Sequence, residues 1–338
     1  MSDAAMPHDQ HQLRTLHALS RRQALMTLAA LPAALVRPGA DSADGLSPAG
    51  GTEQFLARCA ASLASCWHLL RGSDLLAVER ILSAYLLPLE AAAQQHSQYL
   101  PAAARLATQA HRICGILALH RNQLSVREHH CKRALQYAAV TSDASSHASA
   151  LISLASTYFY ASDPQQASAV YEQAFRHGTA LPALQRSRVH AELAVVYGQL
   201  GREQDAIRAA GQAEELYPDS PEEDPSFLYA EFTPASLALE RGLAYVALAE
   251  QFPGRGYQHK AAAIFDRAGQ PAHAIPDRIR FEIVNHQAGI AVLLGDLDAF
   301  ETFMSCGRPG HRQHQRHRTG YRAAPGPFRL QSDAELRH

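Results

Sequence analysis

A chain of 338 residues is longer than a single compact core normally grows, so several units or a stack of repeats are expected. Its net charge of −1 gives no global field to attract nucleic acid or an anionic membrane, and no apolar run reaches the roughly 18 residues of a membrane span. The composition is 47% hydrophobic, much of it Ala and Leu, and only 7% aromatic, which favours helices packed through small residues over a sheet.

Residues 1–19 are polar and dotted with histidine, and read as a disordered leader. Ser20-Arg21-Arg22-Gln23-Ala24-Leu25 then opens an apolar run that ends at Val36-Arg37. Two readings of 20–37 stay open. One is a short apolar helix docked on the first repeat; the other is a twin-arginine export signal, with paired arginines ahead of an apolar stretch of signal length. Residues 38–51 are rich in Gly, Pro, Ser and Asp, the composition of a linker.

From residue 52 to 303 helical periodicity takes over. Phe55, Cys59, Leu63, Cys66, Trp67 and Leu70 share one face, and Gly72-Ser73-Asp74 ends that helix and caps the next. The partner helix runs from Leu75 to about Gln95, with a kink expected at Pro88. A second hairpin spans about Pro101 to Val140, with Gly115 at a close approach and Asn122 at the turn. The clearest signal comes next. Leu151, Leu154, Ala155, Tyr158, Ala167, Tyr171 and Ala174 are restated 39 residues later by His190, Leu193, Ala194, Tyr197, Ala206, Ala210 and Ala213. The breaks within the copies are Ser162-Asp163-Pro164 and Gly201, both turn chemistry. After Pro218 and an acidic, proline-broken loop, Glu240, Leu243, Ala244, Ala247, Ala261, Phe265 and Ala268 repeat the pattern around a longer turn. Val284, Ala288, Ala291, Gly295 and Phe300 make a last, short hairpin. Residues 304–338 hold seven Arg against Asp333 and Glu335 and show no helical face, so they read as a basic disordered tail or as sequence foreign to the repeat.

This pattern resembles the tetratricopeptide repeat, W-x2-L-G-x2-Y followed by A-x3-F and P over about 34 residues. Ala155 and Ala194 take its first small position, Ala167 and Ala206 its second, and Pro218 its closing proline; the 39-residue spacing is longer than the family's. The fold class expected is all-α, an α-solenoid of about six such hairpins.

Motifs of chemistry are missing: GxxxxGK[ST], GxGxxG, HExxH and GxSxG do not occur. Cys59, Cys66, Cys114, Cys131 and Cys306 form no CxxC pair and read as reduced thiols. His129 and His130 are adjacent on a helix and point about 100° apart, so both cannot serve one metal. No catalytic residue, cofactor or metal is expected. The resemblance implies instead a concave groove, lined by the first helix of each hairpin, that holds an extended peptide or protein segment. By register that groove would use Arg112, Ile116, Leu119 and His120, then Ile152, Ser156, Phe159 and Tyr160. Arg188, Val195 and Gln199 come after them, then Arg241, Tyr245 and Leu248, and finally Asn285. The recurring Arg58, Arg112, Arg188 and Arg241 would suit acidic groups or a free carboxylate on the ligand, or would pair with Glu.

Five stretches also resemble the repeat-bearing half of bacterial helix-turn-helix regulators. They are Arg21–Leu25, Cys66–Leu70, Leu184–Val189, Asp224–Phe232 and Arg280–His286, within a likeness covering about 20–303. That family places a DNA-binding domain ahead of the Arg-Arg-Gln element, and residues 1–19 are too short for one, so direct nucleic-acid binding is not expected. Taken together, the sequence predicts a cytoplasmic, non-enzymatic, protein- or peptide-binding regulatory module. The export signal would make it an extracytoplasmic scaffold instead.

Overall fold

The computed structural model describes residues 51–71, 74–224, 231–268 and 277–306, with backbone alone at Arg71, Asp277, Arg278, Phe281, Ser305 and Cys306. The leader 1–19, the apolar segment 20–37, all but the last residue of the linker, and the tail beyond Cys306 lie outside the described residues. Among those described there are twelve α-helices and no strand, so the protein is all-α. No described helix is long and apolar enough to cross a membrane.

The helices fall into consecutive pairs. They are α1 (Gly51–Arg71) with α2 (Leu75–Gln94), α3 (Leu100–His120) with α4 (Leu124–Val140), and α5 (Ala144–Tyr160) with α6 (Pro164–Phe175). Then come α7 (Ala183–Gln199) with α8 (Glu203–Glu215), α9 (Pro234–Gln251) with α10 (Tyr257–Ala268), and α11 (Asp277–Leu294) with α12 (Leu297–Cys306). Each helix packs on the next in sequence, and each odd-numbered helix packs on the following odd-numbered one. Pro88 does not end α2, which continues through it to Gln94.

One turn recurs in four of the pairs. The residue after the C-cap is left-handed: Asn122 (φ 56°), Ser162 (φ 61°), Gly201 (φ 69°) and Gly295 (φ 72°). In each case the following amide reaches back five residues to close the helix. Gln123 N donates to Ala118 O (2.9 Å), Asp163 N to Tyr158 O (3.0 Å), Arg202 N to Tyr197 O (2.8 Å) and Asp296 N to Ala291 O (2.9 Å). This closure satisfies carbonyls that the helix end would otherwise orphan and reverses the chain within three residues. Asp163 and Asp296 then cap the next helix, accepting from Gln166 N (3.0 Å) and Ala299 N (2.9 Å).

The repeated apolar positions form the core. Leu151, Leu154, Ala155, Ala167, Tyr171 and Ala174 are buried, as are His190, Leu193, Ala194, Ala206, Ala210 and Ala213. Tyr158 and Tyr197 are half-buried, and each hydroxyl donates to a glutamate of the preceding even-numbered helix, Glu128 (3.4 Å) and Glu172 (3.0 Å). Small residues mark the closest approaches. A Cβ on Gly115 would lie 3.3 Å from Cys131 Sγ, one on Gly198 3.0 Å from Ala244 O, and one on Gly242 2.2 Å from the Phe265 ring.

Candidate ligand cleft

The odd-numbered helices line a cleft of about 140 Å³. Trp67 and Leu70 come from α1, Ile116, Leu119 and His120 from α3, Ser156, Phe159 and Tyr160 from α5, and Arg188, Glu192 and Val195 from α7. Leu239 and Glu240 of α9 and Ile279 and Glu282 of α11 complete the wall, with Glu231, Phe232 and Thr233 from the segment entering α9. Two side chains arrive from even-numbered helices, Arg127 of α4 and Tyr171 of α6.

Eight of the expected groove residues therefore share this cleft: Ile116, Leu119, His120, Ser156, Phe159, Tyr160, Arg188 and Val195. Arg112 sits behind it, its side chain fully enclosed. Its Nη2 donates to Glu231 Oε2 (3.0 Å), its Nη1 to Gln109 (2.9 Å), and its guanidinium lies 4.9 Å from the Trp67 ring centre. Ile152 and Leu248 are core residues rather than lining. Gln199, Arg241, Tyr245 and Asn285 do not line the cleft either. Gln199 is half-buried at the end of α7 and Asn285 is exposed on α11. Arg241 pairs with Glu214 of α8 at 2.5 Å. Tyr245 stacks on Tyr257 at 6.0 Å, beneath Lys260.

The recurring arginines carry less free positive charge than the sequence suggests, because burial demands partners. Arg188 donates through Nε to Glu192 (2.6 Å) and through Nη1 to Glu231 Oε2 (2.7 Å). Arg112 shares that Glu231 oxygen, and Arg241 has Glu214. Arg127, absent from the expected set, donates to Thr157 Oγ1 and Ser156 Oγ, both at 2.9 Å, and lies 5.4 Å from the Tyr160 ring centre. Burial alone would raise the Glu231 carboxyl, but Arg188 and Arg112 outweigh it and hold the group below its ordinary range. Burial, with the Glu192 carboxylate beside it, pushes the Tyr171 phenol well above its usual value. Trp67 is 1% exposed, and its indole Nε1 has no hydrogen-bond partner among the described residues.

No family model matches this chain, and no curated protein matches its sequence.

The sequence missed Trp67, Arg127, Tyr171, Glu192, Glu231 and Glu282 as lining residues. Trp67 carried a signal, since it occupies the position of Tyr158 and Tyr197 in the repeat. Glu231 lies in a stretch with no periodicity, so nothing in the helical pattern marks it. His130 turns to His111 (Nδ1 to Nδ1, 3.0 Å), while the Cys131 thiol donates to Ser153 O (3.4 Å). Among the described residues no three His, Cys, Asp or Glu side chains gather closely enough to hold a metal.

Proposed function

We propose that the chain is an α-solenoid of six tetratricopeptide-like hairpins that binds a peptide or protein segment in the cleft and catalyses no reaction. One observation carries this reading. Four stretches that resemble the repeat half of helix-turn-helix regulators each contribute to the same cleft: Trp67 and Leu70, Arg188, Glu231 with Phe232, and Glu282. Stretches far apart in sequence that meet on one concave wall are better matched to holding a common ligand than to independent packing roles. The lining supports a peptide in particular. Phe159, Tyr160, Ile116 and Val195 offer apolar pockets, while the unpartnered Trp67 Nε1 offers a donor to a backbone carbonyl. A regulatory module of the cytoplasm is the role the same resemblance implies. Export stays the second reading, on the strength of Arg21-Arg22 and the apolar run after them.

Two experiments test these statements. Trp67 is the only tryptophan in the chain, so its emission reports directly on cleft occupancy. A randomised hexapeptide pool is expected to shift that emission, and Phe159→Ala with Tyr160→Ala to weaken the response at least about tenfold, with helical circular dichroism retained. An unchanged response in the double variant would place binding elsewhere. Arg188→Ala is a poor probe, because it would strand the buried carboxylates of Glu192 and Glu231. Cell fractionation with N-terminal sequencing separates the two locations: a mature terminus near residue 41 outside the cytoplasm would end the regulator reading.

A further inference from the structure

We propose that Arg112 and Arg188 form a carboxylate-binding centre at the floor of the cleft, held in the free protein by the chain's own Glu231, which a ligand carboxylate displaces. This rests on the peptide-binding reading above and names the group the ligand must carry.

The two arginines are fixed without Glu231. Arg112 is held by Gln109 (2.9 Å), by Ser153 Oγ (3.4 Å) and by the face of Trp67, and Arg188 by Glu192 (2.6 Å). They would stay in place if Glu231 left, which is what a preorganised anion site requires. Glu231 is the most exposed member of the group, by a small margin over Arg188 at 12%. Its side chain keeps 15% exposure where that of Arg112 has none. Both of its bonds to the arginines end on one oxygen, Oε2. A carboxylate that used both oxygens, one to each guanidinium, would form the stronger charge-assisted pair.

The backbone beside Glu231 is anchored independently. Phe232 is 2% exposed and packs with Leu184, Ala213 and Leu237, and Thr233 caps α9 by accepting from Ser236 N (3.2 Å). Rotation of the Glu231 side chain alone would vacate Oε2 from the arginines without moving α9. Contacts between residues 112 and 231 span 119 positions, so the link ties the entry to α9 to α3 across the cleft. A ligand carboxylate would break that tie, and Trp67, stacked on Arg112, would register it.

The experiment uses the full chain as wild type and as Glu231→Gln and Glu231→Asp. Three hexapeptide pools are titrated, with Trp67 emission and calorimetry as readouts. One carries a free C-terminus and no acidic side chain; one is amidated with Glu at a central position; one is amidated with Gln there. Both carboxylate pools are expected to bind Glu231→Gln about tenfold more tightly than wild type, with the Gln pool unchanged, because removing a competitor that holds the site most of the time lifts that penalty. Glu231→Asp, which keeps the charge but falls short of the arginines, is expected to tighten binding in the same direction. A gain confined to the free C-terminal pool or to the Glu pool identifies which source of carboxylate the centre takes. If wild type binds the pools but neither variant binds the carboxylate pools more tightly, Glu231 is a fixed strut and the inference falls while peptide binding stands. If neither variant folds, the strut reading is again correct. If no pool binds any form, the peptide reading falls and takes the inference with it.

Discussion

The two copies of the repeat obey one pattern yet do different work, and the difference lies in side-chain bulk at two positions, one within the pattern and one beside it. Helices α5 and α6 carry the first copy, α7 and α8 the second. At a shift of 39 residues, Phe159 of the first corresponds to Gly198 of the second, and Tyr171 to Ala210. The first copy is bulky there. Phe159 lines the cleft, and Tyr171, on the outer helix of its pair, reaches through to line it as well. The second copy is small there, which lets α9 come in until a Cβ on Gly198 would stand 3.0 Å from both Ala244 O and Ala247 Cβ. The positions filled alike make two helical hairpins; those that differ in bulk give the first copy aromatic rings in the cleft and the second a tight joint with α9.

Removing bulk from the first copy should cost most. Tyr171→Ala would leave a large hole at a site 1% exposed and is expected to lose about 3 kcal/mol, read from denaturant unfolding, whereas Ala210→Gly should lose far less. A loss under about 1 kcal/mol would show that the first copy does not depend on Tyr171. Adding bulk to the second copy comes next. Gly198→Val should cost about 2 kcal/mol by overpacking against α9, while Phe159→Val, its counterpart, should leave stability closer to wild type. Equal losses would mean the joint between α7 and α9 is not tighter than its equivalent.

Acid should act on each copy through a different histidine. His190 stands at the buried position that Leu151 fills in the first copy, packed against Phe175 at 4.9 Å. Burial, helped by Arg186, lowers its pKa from the ordinary 6.5. Its folded pKa is thus below its unfolded one, so its contribution is complete above about pH 6.5 and is lost as pH falls below that. Hydrogen exchange at about pH 5 against about pH 7, corrected for intrinsic rates, is expected to show α7 and α8 loosening at the acid end through His190, while α5 responds through His147, whose pKa burial and His177 also lower. His190→Leu should abolish the response of α7 and α8 and leave that of α5; persistence in α7 and α8 would point to another group.

The turns give the smallest effects. Asp163→Ala removes the cap of α6 and should cost about 1 kcal/mol in thermal unfolding. Arg202, the matching residue, caps nothing with its side chain and lies instead 4.0 Å from the Tyr197 ring centre while pairing with Glu172 and Asp205. Arg202→Ala should cost about 0.5 kcal/mol, and less at high salt. Ser162→Gly is expected to gain about 0.5 kcal/mol and Gly201→Ser to lose about 1 kcal/mol, since only glycine enters the left-handed region without strain.

What the sequence determined by itself was the local and the periodic. The recurrence of Leu, Ala and Tyr at helical spacing placed the hairpins, and the breaks at Asn122, Ser162-Asp163 and Gly201 placed their turns, because a helix face and a left-handed residue are set by near neighbours along the chain. Eight of the fifteen expected groove residues, among them Ile116, Phe159 and Tyr160, reach one cleft because they lie on the inward side of successive odd-numbered helices. Register could not say which arginines would be free. Only the tertiary structure decided that Arg112 and Arg188 share a carboxylate from Glu231, that Arg241 turns away to Glu214, and that Arg127 and Tyr171 enter from even-numbered helices. The physical reason is that helix periodicity fixes a side chain's direction from its own axis. Pairing of buried charge depends on what the neighbouring helices and the segment entering α9 bring to the same few cubic ångströms.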